Sequence, residues 1–439
     1  MLALSKYSRV FADIDTDNIV YNTINKAIVS IPKDKFSDEN FGLHDLKTEE
    51  VTYLRENLFL KGTLDLQSYA NSYSKFDSLI ISLELFLHCN LACPYCYQSG
   101  NKSRNKISKD DLDALFVYIQ AVYEWTKFKS LVFKVLGGEP TIDWKTAEYI
   151  ISKCFDYCDA RGIFFKLMID TNGTLINNIL SLSTYHSLIL TIPLTEKECH
   201  NKNRKYRNGQ GTYDDIIQNT NIIAKSLRDV SIVLRYNIDN ENIVVFEKYI
   251  DDIKKKVQYV PIISPNYTME IGSKEFHNSL AHQDVVNWRS STFIDIMAKN
   301  NFPIVVAPFD VDAKCQYLSK YSLKMFSDGT VGACAMSFWD SNRPRIQSIC
   351  KDIDKVAELW HTAKWFNPFK DTKCSKCKSL FLCGGAYHLP CSEKLGEIKC
   401  VNPDSFHVNL KLFISKYLLY TNQGKNSLFV GFNDNNTYK

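Results

Sequence analysis

The residues in this chain best equipped for chemistry are its cysteines, 14 of them in 439 residues. Cys89, Cys93 and Cys96 form one tight group in the segment Leu87-His-Cys-Asn-Leu-Ala-Cys-Pro-Tyr-Cys-Tyr97. A structural zinc site is closed by four ligands, usually as two pairs, whereas this loop offers three thiolates. A cubane iron–sulfur cluster suits three thiolates better, because the fourth iron is then left open to an external ligand. A zinc-ribbon fragment or three unrelated thiols is the weaker alternative. Cys315, Cys334, Cys350, Cys374, Cys377, Cys383, Cys391 and Cys400 all lie in the last third, and none falls between Cys199 and Cys315. Clustered thiols in a chain of this kind read as metal ligands rather than disulfides, so two separate metal modules are expected. Cys154 and Cys158 share a helix face with Ile151 and Phe155 and read as core packing. Cys199, in a polar segment beside His200, reads as an incidental exposed thiol.

The elements that must position the first group alternate regularly. Ser78–Phe86 reads as a strand running into the cysteines, and Ser108–Lys127 as an amphipathic helix with Ser108 as its N-cap. Strands are expected at Ser130–Leu136, Ile163–Asp170, Ser187–Leu194, Val230–Ile238 and Tyr259–Ile263. Helices are expected at Trp144–Ala160, Asp214–Leu227 and Ile243–Val257, with Gly162 closing the first of these. Such alternation argues for parallel βαβ units in an α/β fold, a partial (β/α)6 TIM-type barrel with its functional groups at the carboxyl ends of the strands. The cysteine loop, Gly137-Gly138-Glu139 and Thr171-Asn172-Gly173 each follow a strand directly, so three motifs converge on one face. The expected domains are an N-terminal α+β unit (1–72), the barrel (73–270), a cysteine-rich domain (300–420) and a tail (421–439).

Composition excludes several classes. With 53 basic and 49 acidic residues the net charge is +4, which gives no polyelectrolyte signature for nucleic acid. Apolar runs such as Leu79–Leu87 are far short of the 18 or so residues that cross a bilayer, and the start of the chain lacks a signal peptide's apolar core. The expectation is a cytoplasmic protein with no membrane partner.

The cysteine loop resembles that of the radical S-adenosylmethionine (SAM) superfamily, Cys-x3-Cys-x-aromatic-Cys, with Tyr95 in the aromatic position. The resemblance continues through Gly137-Gly138-Glu139-Pro140, the family's motif that holds the methionyl amine, and Thr171-Asn172-Gly173-Thr174 after the third strand. It extends to His200, Arg204, Gly209 and Gly211-Thr212-Tyr213, and to Arg235 and Asn237 on the fifth strand, Arg235 being placed to meet the SAM carboxylate. It implies that Cys89, Cys93 and Cys96 hold a [4Fe–4S] cluster whose open iron chelates SAM, and that Gly137, Gly138, Glu139, Pro140, Asn172, Thr191, Arg204 and Arg235 bind the cofactor. Reductive cleavage of SAM would give a 5′-deoxyadenosyl radical that takes a hydrogen from the substrate. One departure stands out. Many relatives carry Asp-Gly after the fourth strand, where this chain has Leu190-Thr-Ile-Pro-Leu-Thr195, so Thr191 would have to supply the ribose contact.

The downstream thiols resemble a SPASM domain, a C-terminal extension with auxiliary iron–sulfur clusters. By position, Cys374, Cys377, Cys383 and Cys400 would hold one [4Fe–4S] cluster, with Cys315 and Cys334 belonging to a second. Tyr387 and Phe309 stand where the family often has further cysteines, so Cys391 or Cys350 would have to substitute, or the second cluster is open-sided, smaller or absent. A zinc knuckle at Cys374–Cys377 is the rival reading. In the sulfatase-activating branch an Asp usually follows the second SPASM cysteine, but Cys334 is followed by Ala335-Met336-Ser337. The resemblance therefore favours a maturase of a ribosomally made peptide, forming a thioether or C–C crosslink or epimerising a residue. An anaerobic sulfatase maturase that makes formylglycine, or a non-catalytic iron–sulfur scaffold, is the alternative. The implied partners are a precursor peptide, whose leader segment 1–72 would bind, and a flavodoxin- or ferredoxin-type electron donor. No catalytic base is identified.

Overall fold

Leu79, Ile81 and Leu83 are fully buried along one face of the strand Ser78–Glu84, while Ser82 and Glu84 lie on the other. This period of two repeats in five further strands of the computed structural model. The structure describes residues 2–37, 42–62, 65–67, 77–96, 98, 106–182, 187–227, 229–267, 282–305, 321–333, 342–352, 369–383, 403–430 and 437–438. They divide into two compact units, one comprising 76–285 with 316–364, the other 1–75, 286–315 and 365–439.

In the first unit we number the strands β1 (Ser78–Glu84), β2 (Ser130–Leu136), β3 (Phe164–Asp170), β4 (Leu188–Pro193), β5 (Val230–Ile238) and β6 (Ile262–Tyr267). They pair in parallel in the order β6-β5-β4-β3-β2-β1, an open α/β sheet that makes a partial TIM-type barrel. The connecting helices are α1 (Lys109–Thr126), α2 (Trp144–Asp159), α3 (Lys197–Asn203), α4 (Tyr213–Ser226) and α5 (Phe246–Lys256). Ser108 caps α1 by accepting the Asp111 N–H on Oγ at 3.1 Å, and Lys127 ends it in the left-handed region at φ 51°. Gly162, at φ +65°, closes α2 so that Ile163 N–H reaches back to Cys158 O at 2.9 Å, the Schellman arrangement. Two elements depart from the sequence reading by more than two residues. The sixth strand starts at Ile262 rather than Tyr259, because its ladder pairs Ile262 with Val233. The last helix begins as a 3-10 turn at Ile243–Val245 before α5.

The sheet does not stop at β1. Strand β7 (Leu323–Met325) pairs in parallel with β1, and β8 (Val331–Gly332) pairs antiparallel with β7, giving eight strands. The stretch 300–420 is thus shared between the two units. Two buried carboxylates fasten the added hairpin. Glu84 accepts from Lys324 Nζ at 3.0 Å and Ser327 Oγ at 3.2 Å, and Asp111 accepts from Gln347 Nε2 at 2.9 Å and Arg345 Nη2 at 3.3 Å. Gly329 turns the hairpin at φ +78°, with Asp111 Oδ2 only 2.7 Å from where a Cβ would stand.

In the second unit, Ser8–Phe11, Asn18–Asn22 and Ile28–Ile31 form an antiparallel sheet, and Thr437–Tyr438 adds in parallel beside Ile28–Ile31. Val20, Val29, Ile31, Leu54 of the helix Thr48–Glu56, and Phe59 form its core. A second cluster gathers Tyr7, Phe369, Cys374, Leu380 and Phe381. The helices Thr292–Lys299 and Pro403–Asn422 are tied by Asp295, which accepts from Lys416 Nζ at 2.6 Å and Tyr420 Oη at 2.8 Å. No described helix is long and apolar enough to cross a membrane.

Candidate functional site

Beyond β1 the backbone continues to pair with the chain leaving β2. Leu85 N–H donates to Leu136 O at 3.1 Å, Gly138 N–H to Phe86 O at 2.8 Å and Glu139 N–H to His88 O at 2.9 Å. The approach is so close that a Cβ at Gly137 would stand 2.6 Å from Phe86 O, and one at Gly138 2.1 Å from His88 O. Both glycines are therefore required by backbone contact with the segment that delivers Cys89. On its other side the cysteine loop is held by residues 205–207: Ala92 N–H donates to Lys205 O at 2.9 Å and Arg207 Nε to Cys89 O at 2.8 Å.

Glu139 has no exposed surface. Its Oε1 accepts from Thr141 N, Thr141 Oγ1 and Thr171 Oγ1 at 3.1, 2.5 and 2.7 Å, and its Oε2 from Asn172 N at 2.6 Å. Burial pushes its pKa up and the four donors oppose that rise. The carboxylate thus braces the end of β3 against the end of β2. Beyond it, Asn172 Nδ2 donates to Asn90 Oδ1 at 2.7 Å and to Cys89 Sγ at 3.7 Å.

Cys89, Cys93 and Cys96 are in no disulfide and are partly exposed. Burial raises the Cys89 pKa, with Leu91 N–H opposing and the Glu139 charge adding; burial likewise raises Cys93, against the Arg204 charge. Arg204 is buried at 6% exposure; its Nη1 donates to Tyr95 Oη at 3.3 Å, and its Nε has no partner. Burial works against its charge but is outweighed by Tyr95, Cys93 and Cys89, so the guanidinium stays charged. Tyr95 also shares a hydrogen bond with the Asn237 side chain, which links the loop to β5.

Those surroundings fit the group the spacing implies. Three thiols meet a buried cation with an unused N–H, a setting suited to an anionic cluster and a carboxylate. Among the described residues no three His, Cys, Asp or Glu are drawn in as tightly as one metal ion needs. Four irons set their thiolates wider apart than a single ion does.

The remaining expected residues fall as follows. Pro140 starts a 3-10 turn and is buried. Thr191 on β4 pairs with Asp170, and Arg235 on β5 pairs with Ser264. Tyr236 packs against Phe246 and Tyr249 of α5, which puts Arg235 and Asn237 on the opposite, inner face. The sequence reading passed over the Lys134–Asp170 ion pair (3.0 Å) and the Asn90–Asn172–Thr174 network. Alternation at period two marks Lys134 and Asp170 as inward positions and was the available signal.

Among the downstream thiols, Cys374 is buried and Cys377 partly so, with Cys377 N–H donating to Cys374 O at 2.9 Å and Ser379 N–H to Cys377 Sγ at 3.4 Å. Cys383 ends the helix Leu380–Cys383. Cys315, Cys334, Cys391 and Cys400, like the Cys383 side chain, lie outside the described residues. Cys350 is buried and donates to Gln347 O at 3.6 Å. Cys154 and Cys158 have no exposed surface and belong to the core of α2.

The first unit is an open parallel barrel with a three-thiol loop after its first strand and a Gly-Gly-Glu turn after its second. Residues 83–253 match the family model described as the Radical SAM superfamily, and this segment belongs to it. The family implies a [4Fe–4S] cluster with SAM. Among solved structures, native anSMEcpe with bound AdoMet and Kp18Cys peptide is similar at a TM-score of 0.60 and 18% identity, covering 80% of this chain and 99% of that one. Native anSMEcpe with bound AdoMet is similar at 0.58 and 18%, covering 80% and 100%. Streptococcus suis SuiB bound to precursor peptide SuiA gives 0.48 and 13%, covering 88% and 95%. No curated protein matches the sequence.

Proposed function

We propose that this radical SAM enzyme acts on a peptide, maturing a ribosomally made precursor by forming a thioether or C–C crosslink or by epimerising a residue. The observation that carries the reading is the cysteine loop, packed between the Gly137-Gly138 backbone, the Glu139-braced Asn172 and the Arg204 guanidinium. Its fold neighbour anSMEcpe was captured with both AdoMet and a peptide, which supports a peptide as substrate.

Cys89, Cys93 and Cys96 would hold the [4Fe–4S] cluster. When bound, the cluster and SAM supply one-electron reductive cleavage of a sulfonium C–S bond. The chain's own residues do the positioning. Glu139 fixes the ends of β2 and β3, Arg204 places positive charge beside the thiolates, and Tyr95 and Asn237 pin the loop to β5. Arg235 and Thr191, on the inner faces of β5 and β4, are the candidate contacts for the SAM carboxylate and ribose. Segment 1–72 is the candidate for leader binding, and Cys374, Cys377, Cys383 and Cys400 the candidates for one auxiliary cluster.

The test is anaerobic. Reduced, reconstituted protein given SAM should release 5′-deoxyadenosine, and Cys93→Ala should abolish the product. Unchanged release from the variant sinks the reading. Formylglycine on a Cys- or Ser-containing sulfatase peptide would move the assignment to a sulfatase maturase.

A further inference from the structure

The amide of Asn172 can be oriented without ambiguity. Thr174 N–H lies 2.9 Å from one amide atom, and a backbone N–H only donates, so that atom is Oδ1. The Thr174 hydroxyl, which receives Asn90 Nδ2 at 2.8 Å, donates to the same oxygen at 2.7 Å. The other end is therefore Nδ2, and its two hydrogens are directed at Asn90 Oδ1 (2.7 Å) and Cys89 Sγ (3.7 Å). Asn90, Thr174 and Asn172 thus close a ring of side-chain hydrogen bonds from which the second Asn172 Nδ2 hydrogen points outward to a cysteine of the loop. Glu139 Oε2 fixes the backbone of Asn172 at 2.6 Å, so the donor is held from behind as well.

We infer that Asn172 is a positioning residue that tunes the cluster's reduction potential, its Nδ2–H holding a hydrogen bond to the Cys89 thiolate rather than touching substrate. The inference rests on the reading of Cys89, Cys93 and Cys96 as cluster ligands. Reduction adds negative charge that is shared with the ligand sulfurs, so an N–H donor to one of them stabilises the reduced state more than the oxidised one. The ring keeps the amide from rotating away, and the chain is arranged to make the cluster easier to reduce.

The test uses the full chain reconstituted anaerobically with iron and sulfide, and follows during redox titration the paramagnetic signal that Cys89→Ala loses. Asn172→Leu removes the donor at similar volume. Its midpoint should fall, so that at fixed potential the ratio of reduced to oxidised cluster drops by up to about tenfold, ~59 mV for one electron. An unchanged or raised midpoint at wild-type iron content overturns the inference. If Asn172→Leu loses its iron, Thr174→Val decides, since it removes the hydroxyl that locks the amide but leaves the donor. A smaller downward shift supports the inference and a wild-type midpoint overturns it. Potential is read without product formation. A chain that takes up the cluster yet releases no 5′-deoxyadenosine defeats the proposed function and leaves this test standing.

Discussion

His200 has no exposed surface, receives the Thr195 N–H on Nδ1 at 3.4 Å, and sits with Nε2 3.1 Å from Thr212 Oγ1. Because Nδ1 accepts, the proton belongs on Nε2, and Thr212 passes the chain on by donating to Arg204 O at 2.8 Å. Burial first, and then the Arg204 charge, hold its pKa well below 6.5. In the unfolded chain it protonates near 6.5, so the unfolded state binds more protons in that window. Stability should therefore decline as pH is lowered through about 6.5, by at most ~1.4 kcal/mol per pH unit from this group. Thermal unfolding at pH 5.5 and 7.5 should show a smaller drop for His200→Gln than for the parent. Equal drops would mean that His200 is already protonated in the folded chain. The imidazole's value lies in presenting Arg204 to Tyr95 and the thiols, and its place in the sequence motif said nothing about that route.

The elements were legible where spacing is local. Ser108 before Leu112, Leu115 and Ile119 announces α1, and Gly162 announces the end of α2 to within a residue. The barrel followed from six such readings. What spacing did not carry was β7. Three residues do not make a periodic pattern, and Lys324 in their midst reads as solvent-facing, yet it is fully buried because Glu84, 240 residues earlier, waits for it. The same holds for the site, since cysteines and glycines announce themselves by type, while Asn90 and Thr174 matter only through each other. The buried pair gives a test at this scale. Lys324→Met strands the Glu84 carboxylate and should cost about 3–5 kcal/mol in chemical denaturation, whereas adding Glu84→Leu should recover much of the loss. A double variant no more stable than the single would show that the pair does not act as a unit.

At the scale of the whole molecule, two units each carry part of the cysteine inventory, and the loop in the barrel has all three of its thiols within the described residues. If Cys374, Cys377, Cys383 and Cys400 hold one auxiliary [4Fe–4S] cluster, a Cys89/Cys93/Cys96 triple-alanine variant should retain about four irons per chain after anaerobic reconstitution. No retained iron would remove the auxiliary assignment, and six to eight would call for a second cluster. The seating of β7 beside β1 also has a consequence in time. Lys324 meets Glu84 across 240 residues of chain. At a synthesis rate of roughly 5–20 residues per second, β1 waits on the order of 10–50 s with one flank unpaired. An unpaired strand edge beside three thiols invites pairing with other chains and premature metal capture. The order in which the nascent chain receives iron and receives its seventh strand is therefore a vulnerable step in making the active protein.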